Sequence, residues 1–275
     1  MREGYWMIRT VRSGKVIEKS QFFVSERKPR APKRKGGTSA AAKDKNLNTA
    51  ARQLARTINC NWSAGDLWVT LTYDPAKQPT RIEDADRACA LFWRRLGRAL
   101  AEQGIKVKGF WLTADKDGKT GAPEPLHHHM VISAEGVDVR WSEDAVSCTV
   151  GGRELADIWG NGTIDVEELR EQEDYTPVAI YCVRQAVNGE NVKKWHPSKG
   201  LKKPVVESER VVQYSRELRA PAGATVSEIG HYDDVTGNHY IRYIRRPRTK
   251  KDKIGGHKEL LFDPNETDEM RWSLE

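Results

Sequence analysis

The chain has 275 residues, 38% of them hydrophobic and 31% charged, enough apolar material for one main domain with polar appendages. No apolar run approaches membrane-spanning length, the first ten residues lack a signal-peptide pattern, and Cys60, Cys89, Cys148 and Cys182 stand apart without a Cys-x-x-Cys pair. These features exclude a membrane-spanning helix, a disulfide scaffold and a cysteine-based zinc site, and the expected location is the cytoplasm.

The net charge of +7 is uneven, with 15 Lys or Arg against 4 Asp or Glu in residues 1–60. Such an excess either solubilises a tail or meets a polyanion, of which nucleic acid is the first candidate in a cytoplasmic protein. Within that segment, Gly4 to Val24 alternates enough to predict a short hairpin turning at Ser13-Gly14. Ser25 to Lys45 is rich in Pro, Gly and Lys and reads as a flexible basic linker. Leu47, Ala51, Leu54, Ala55 and Ile58 then follow a helical period and predict a short amphipathic helix.

Leu67 to Tyr73, rich in β-formers and closed by Asp74-Pro75, reads as a buried strand. Thr80-Arg81-Ile82-Glu83 has the form of a capping box, and Ile82, Ala85, Cys89, Phe92, Leu96 and Ala99 predict a long helix ending before Gly104. Val107 to Thr113, which runs on to Asp115, and Leu126 to Ser133 are predicted as a strand hairpin around the polar turn Asp115 to Gly121. Strand, helix, strand, strand is the opening order of a ferredoxin-like sheet, so the expected class is α+β, an antiparallel ferredoxin/RRM-like sheet with helices on one face. Shorter pieces follow, and Thr176-Pro177 predicts a helix start with Thr as cap and Pro at the first position.

His127-His128-His129 falls inside the third predicted strand. Side chains alternate along a strand, so His127 and His129 share one face while His128 takes the other. Two imidazoles aimed together suit a divalent metal with open coordination positions, although the run alone leaves a hydrogen-bonded histidine cluster equally open. In the last predicted helix Ala179, Cys182, Val183 and Ala186 form the apolar stripe, which puts Tyr181, Arg184, Gln185 and Asn188 on the other side. Lys193, Lys194, Trp195, Lys199, Lys202 and Lys203 follow without an acidic residue among them, and Arg242 to Lys251 repeats the mixture of bases and aromatics. Lysine beside tryptophan combines phosphate attraction with stacking, as single-stranded nucleic acid requires.

Taken in order, these motifs resemble the rolling-circle replication initiators of the HUH endonuclease superfamily, found in bacterial plasmids, integrative elements and phages. Asp66 to Tyr73 is similar to the family's first motif and His127-His128-His129 to its His-hydrophobe-His motif, with a histidine in the middle place. Ala179 to Arg184 is similar to the tyrosine helix, with Arg184 where the family has lysine, and Trp195 to Pro204 is similar to the segment after it.

The resemblance implies a site-specific single-stranded DNA endonuclease and strand transferase. In it Tyr181 is the nucleophile, and Mg²⁺ or Mn²⁺ is held by His127, His129 and a third polar ligand. Asp115 is expected as that ligand, with Glu124 the alternative. Arg184 and Lys194 would contact phosphate, as part of a wider DNA-binding set with Lys193, Trp195, Lys199, Lys202 and Lys203. The partners implied are single-stranded origin DNA and a host helicase and polymerase. A conjugative relaxase or transposase shares the chemistry, and a non-catalytic single-strand-binding regulator is the rival of another class. The expected domains are a basic arm at 1–60, a catalytic domain at 61–204 and a C-terminal extension at 205–275 with an acidic tail.

Overall fold

The structure is a computed structural model and describes residues 4–26, 40–142, 146–187, 193–211, 218–233 and 238–245. The predicted hairpin is present and long: β1 (Gly4–Ser13) pairs with β2 (Val16–Ser25) along its whole length, from Gly4 opposite Ser25 to Ser13 opposite Val16. Gly14 makes the turn at φ 59°, a left-handed backbone that glycine adopts without a Cβ penalty. Most of the expected basic linker lies outside the described residues. From Ala40 the chain is already helical, so α1 (Ala40–Asn61) starts well before the apolar pattern does. A run of alanines favours helix without contributing periodicity, which is why the pattern found only the second half.

Next come β3 (Leu67–Leu71), α2 (Ile82–Ala101), β4 (Gly109–Lys116) and β5 (Pro123–Ile132). The capping box does not form: Arg81 is the N-cap of α2 and makes no side-chain cap bond, so Thr80 falls one position too early, and Glu83 lies 3.4 Å from Arg81 Nε instead. A small sheet of β6 (Asp138–Trp141), β7 (Val146–Val150) and β8 (Arg153–Glu154) leads into α3 (Leu155–Trp159). After these come β9 (Ile164–Glu168), α4 (Thr176–Gln185) and β10 (His196–Pro197). At the start of α4, Asp174 rather than Thr176 acts as cap: its Oδ1 accepts the Thr176 N–H at 2.9 Å and the Thr176 hydroxyl at 2.6 Å.

The central sheet has the order β10-β4-β5-β3-β9, antiparallel throughout. β5 lies between β3 and β4, and α2 crosses from β3 to β4, the split βαβ arrangement of the expected α+β class. The expectation of helices on one face needs a correction, because both faces are covered. Leu67, Val69, Leu71, Met130 and Ile132 pack with Phe92 and Leu96 of α2 and Trp159 of α3. On the reverse, Phe110, Leu112, Ala114 and Val131 pack with Leu54 and Ile58 of α1 and with Ala179, Cys182 and Val183 of α4. β4 and the second half of β5 are apolar on both sides and must be buried on both. Val69, Leu71, Phe92 and Phe110 are all at most 1% exposed, each contributing about 1.5–3 kcal/mol relative to an exposed side chain.

The segments expected as an N-terminal arm and a C-terminal extension share a second five-stranded sheet. Its order is β11-β1-β2-β13-β12, where β11 is Val205–Val211, β12 is Thr225–Asp233 and β13 is Asn238–Ile244. One buried carboxylate joins it to α1: Glu18 meets the guanidiniums of Arg56 and Arg52 and accepts the Tyr240 hydroxyl at 2.7 Å. Arg242 makes a second tie, lying 3.4 Å from Asp174 at the head of α4 and 3.4 Å from Glu228. The acidic tail and the basic run beyond Arg245 lie outside the described residues. No helix among the described residues is long and apolar enough to cross a membrane.

Glu18→Ala should strip Tyr240 and two guanidiniums of their shared partner. Because the arginines are partly exposed, the expected loss is about 2 kcal/mol, below the 3–5 of a fully buried pair. A urea-denaturation midpoint equal to that of wild type would contradict this joint.

Candidate active site

The pairing of β5 with both neighbours places the histidines. His129 stands opposite Thr70 of β3 and Leu112 of β4, and His128 opposite Leu71 and Thr113. His127 and His129 therefore point to the α4 side of the sheet, and His128 to the α2 side. All three are buried, at 8%, 0% and 6% exposed for His127, His128 and His129.

On the α4 side the two imidazoles close on each other, His127 Nε2 lying 3.1 Å from His129 Nε2. The Gln185 Oε1 atom is 2.7 Å from the same His129 nitrogen. His127 Nδ1–H donates to the Pro125 carbonyl at 2.9 Å, which leaves its Nε2 as a lone pair facing the cluster. On the far side of the His129 ring Thr70 Oγ1 lies 3.1 Å from Nδ1, and Trp68 lies 5.0 Å away between ring centres. Two imidazole nitrogens and an amide oxygen converging at hydrogen-bond distance form a donor set that a hard or borderline divalent cation accepts. Among the described residues no group of three His, Cys, Asp or Glu side chains is placed to hold a metal ion, so the amide of Gln185 is what completes a triad. The nearest carboxylate is Glu124, 3.8 Å from His127 Nε2.

Asp115 is not brought to this cluster. The register of β4 on β5 slips between Ala114 and Lys116, leaving Asp115 on a bulge without a partner on β5, and its carboxylate lies 3.3 Å from Lys116 Nζ. Pairing order alone could not reveal a bulge, which inserts one residue and re-aims the side chain.

Tyr181 projects from α4 over the histidines, its ring 6.3 Å from His129 and 6.2 Å from Trp68. Together with His127, His129, Gln185, Glu124 and Asp117 it lines a cavity of about 620 Å³ that is open to solvent. Burial raises the pKa of its hydroxyl, while the Gln185 side chain acts in the opposite sense. The turn after β4 supports the ring: Asp117 Oδ1 accepts the Lys119 and Thr120 N–H groups and the Thr120 hydroxyl, and a Cβ at Gly118 would overlap Tyr181. The end of α4 is pinned to β4, with Ala186 bridged to Ala114 and the Val187 N–H donating to the Thr113 carbonyl at 3.1 Å. Gln185 was legible as a helix neighbour of Tyr181 at i+4, but its approach to His129 depends on this docking. Tyr175 is buried between α1 and α4, and its hydroxyl donates to the Arg170 carbonyl.

His128, on the other face, belongs to a buried polar chain. The Tyr73 hydroxyl donates to its Nε2 at 2.7 Å, its Nδ1–H lies 3.1 Å from Thr113 Oγ1, and the Thr113 hydroxyl donates to Asp86. Thr113 has one proton to give, so its oxygen accepts from His128 and the imidazole is neutral.

Of the basic residues singled out in the sequence, Arg184, Lys193, Lys199, Lys202 and Lys203 are exposed. Lys194 is half-buried, with its ammonium donating to the Val187 carbonyl at 2.6 Å. Trp195 is not free for stacking on a base, since its ring packs on Phe110 at 6.1 Å.

An antiparallel sheet with a His-x-His pair on a central strand, faced by a tyrosine on the following helix, is consistent with an HUH-type protein. Residues 66–186 match a family model of replication-associated proteins, that of the ORF2 type, and this segment is the domain of a replication initiator. Comparison with curated proteins and with solved structures gives no match.

Burial lowers His128 and His129 to a pKa of about 3, helped by the neighbouring imidazoles. Unfolding releases both to the ordinary value of 6.5, so below that pH the unfolded chain binds more protons and stability falls as pH drops from 6.5 toward 3. The expected slope in chelator is about 1.4 kcal/mol per pH unit for each histidine. His128→Gln should remove about one such increment between pH 6 and 4 in urea titrations, and an unchanged slope would count against a neutral buried His128.

Proposed function

We propose that the chain is a metal-dependent, site-specific single-stranded DNA nickase and strand transferase that starts rolling-circle replication. The observation that carries this reading is the meeting of His127 Nε2, His129 Nε2 and Gln185 Oε1 in one open cavity beneath Tyr181. His127, His129 and Gln185 would hold Mg²⁺ or Mn²⁺, with Glu124 at the rim, in place of the Asp115 expected from order along the chain. Bound there, the cation supplies charge neutralisation on the phosphoryl oxygens.

The residues of the chain do the rest. Gly118, Trp68 and the docked end of α4 hold the Tyr181 ring, limiting the rotation lost when its oxygen is aligned with phosphorus. The phenolic oxygen forms the new bond to phosphorus and the bond to the 3′ oxygen breaks. The proton lost by the phenol is balanced by one gained at that 3′ oxygen, giving a 5′-phosphotyrosine and a free 3′-OH from which a host polymerase could extend. Reversal of the same exchange rejoins strands without ATP. Arg184 and the exposed lysines Lys193, Lys199, Lys202 and Lys203 would steer the strand by phosphate contacts that carry no sequence information. A non-catalytic single-strand-binding role would leave the convergence of two imidazoles, an amide and a tyrosine in an open cavity without a use.

Incubation with single-stranded origin DNA and Mn²⁺ should give a covalent protein–DNA adduct on a denaturing gel, absent for Tyr181→Phe. An adduct undiminished in Tyr181→Phe would move the nucleophile elsewhere, first to Tyr73, which lines the same cavity. His127→Ala and His129→Ala should abolish cleavage while sparing salt-sensitive DNA binding. Gln185→Ala should raise the Mn²⁺ concentration needed for half-maximal cleavage by about 10–100-fold, with recovery in Gln185→Glu.

A further inference from the structure

The basic residues of the N-terminal segment and of the C-terminal run meet at one place in the second sheet. β2 lies between β1 and β13, so Ile17 is flanked by Arg12 on one side and Tyr243 on the other. The Arg245 N–H donates to the Lys15 carbonyl at 3.1 Å, bringing the end of β13 to the hairpin turn. On the face opposite Glu18 and α1 these strands and the 221–224 loop enclose a cavity of about 260 Å³. Three cations line it, Arg12, Lys19 and Arg245, over a floor of Ile17 and Tyr243 with Pro221 at the wall. Arg12 is engaged by Glu207 at 2.8 Å. Lys19 and Arg245 have no ion pair among the described residues, and no carboxylate lines the cavity.

Two cations without a counter-charge, set over an apolar floor in a cleft of about one nucleotide's volume, fit a phosphate with an attached sugar or base. Cations repel one another, and holding three on one small surface costs energy unless an anion joins them. Their sequence positions, more than 200 residues apart, make the juxtaposition a product of strand pairing and not of one basic run. We propose that this cavity binds a phosphodiester of single-stranded DNA, with Lys19 and Arg245 on the phosphate, so that the second sheet holds the strand at a place separate from the nicking cavity. The inference rests on the reading of the chain as a single-strand nickase, and it extends DNA contact beyond residues 66–186.

The test is fluorescence anisotropy of a labelled single-stranded 30-mer with the full chain in EDTA, where cleavage does not contribute. Lys19→Ala/Arg245→Ala should weaken binding and flatten the dependence of log K on log salt by about 1.4, two phosphates at about 0.7 each. Lys19→Gln/Arg245→Gln, which keeps most of the stems, should do the same with an unchanged circular dichroism spectrum. Arg94→Ala/Lys106→Ala removes two exposed cations elsewhere and should leave the slope as in wild type. An unchanged slope in both Lys19/Arg245 variants, or an equal change in the Arg94/Lys106 control, overturns the proposal. So does competition at this cavity by a free deoxynucleoside monophosphate at millimolar concentration, which would assign it to a small ligand. Mn²⁺-dependent cleavage of a short oligonucleotide spanning only the nick should be equal in wild type and the Lys19/Arg245 variants. Loss of the adduct with the slope effect intact would count against the nickase reading alone, and the reverse against this cavity alone.

Discussion

The pairing of β5 between β3 and β4 is the constraint on which the rest depends. A strand presents neighbouring side chains to opposite faces, and a slip of one residue would exchange them. With Thr70, His129 and Leu112 abreast, two imidazoles are committed to the α4 side and one to the α2 side. Neither assignment is free to drift, because both faces of the sheet are buried beneath helices. The polar chain from Tyr73 through His128 and Thr113 to Asp86 adds directional bonds to the same register, tying β3, β5, β4 and α2 at one level. A buried imidazole with partners on both nitrogens costs little, whereas one without them would cost several kcal/mol.

What stands over the histidines is held by the end of α4. The helix packs on α1 through Ala179, Cys182 and Val183, is bonded to β4 at Ala186 and Val187, and is capped at its head by Asp174. Arg242 reaches Asp174 from the second sheet, so the helix carrying Tyr181 is braced at one end by the central sheet and at the other by the accessory one. Gly118 sets the remaining limit, since its missing Cβ is the space that the tyrosine ring occupies.

The second sheet changes how the charge distribution is understood. A basic segment of 60 residues looks like a tail when counted along the chain. In space, part of it is a hairpin at the centre of a five-stranded sheet completed by strands from beyond residue 204. Long-range antiparallel pairing of this kind leaves no local trace beyond alternation, and β11, with Val205, Val206, Glu207 and Glu209 all exposed, does not show even that clearly.

The residues by themselves determined the central strands, the long helix α2, the opposed faces of the histidine run and the placing of Tyr181 off the apolar stripe. Each of these follows from a period of 2 or 3.6 that neighbouring residues carry among themselves. Only the tertiary structure decided that the sheet is covered on both faces, that a bulge takes Asp115 away from the histidines and that Gln185 reaches them. It alone shows that Trp195 is packed against Phe110 and that the two ends of the chain build one sheet. These depend on which elements meet, and contacts between distant segments are set by the packing of the whole core, which no local pattern encodes.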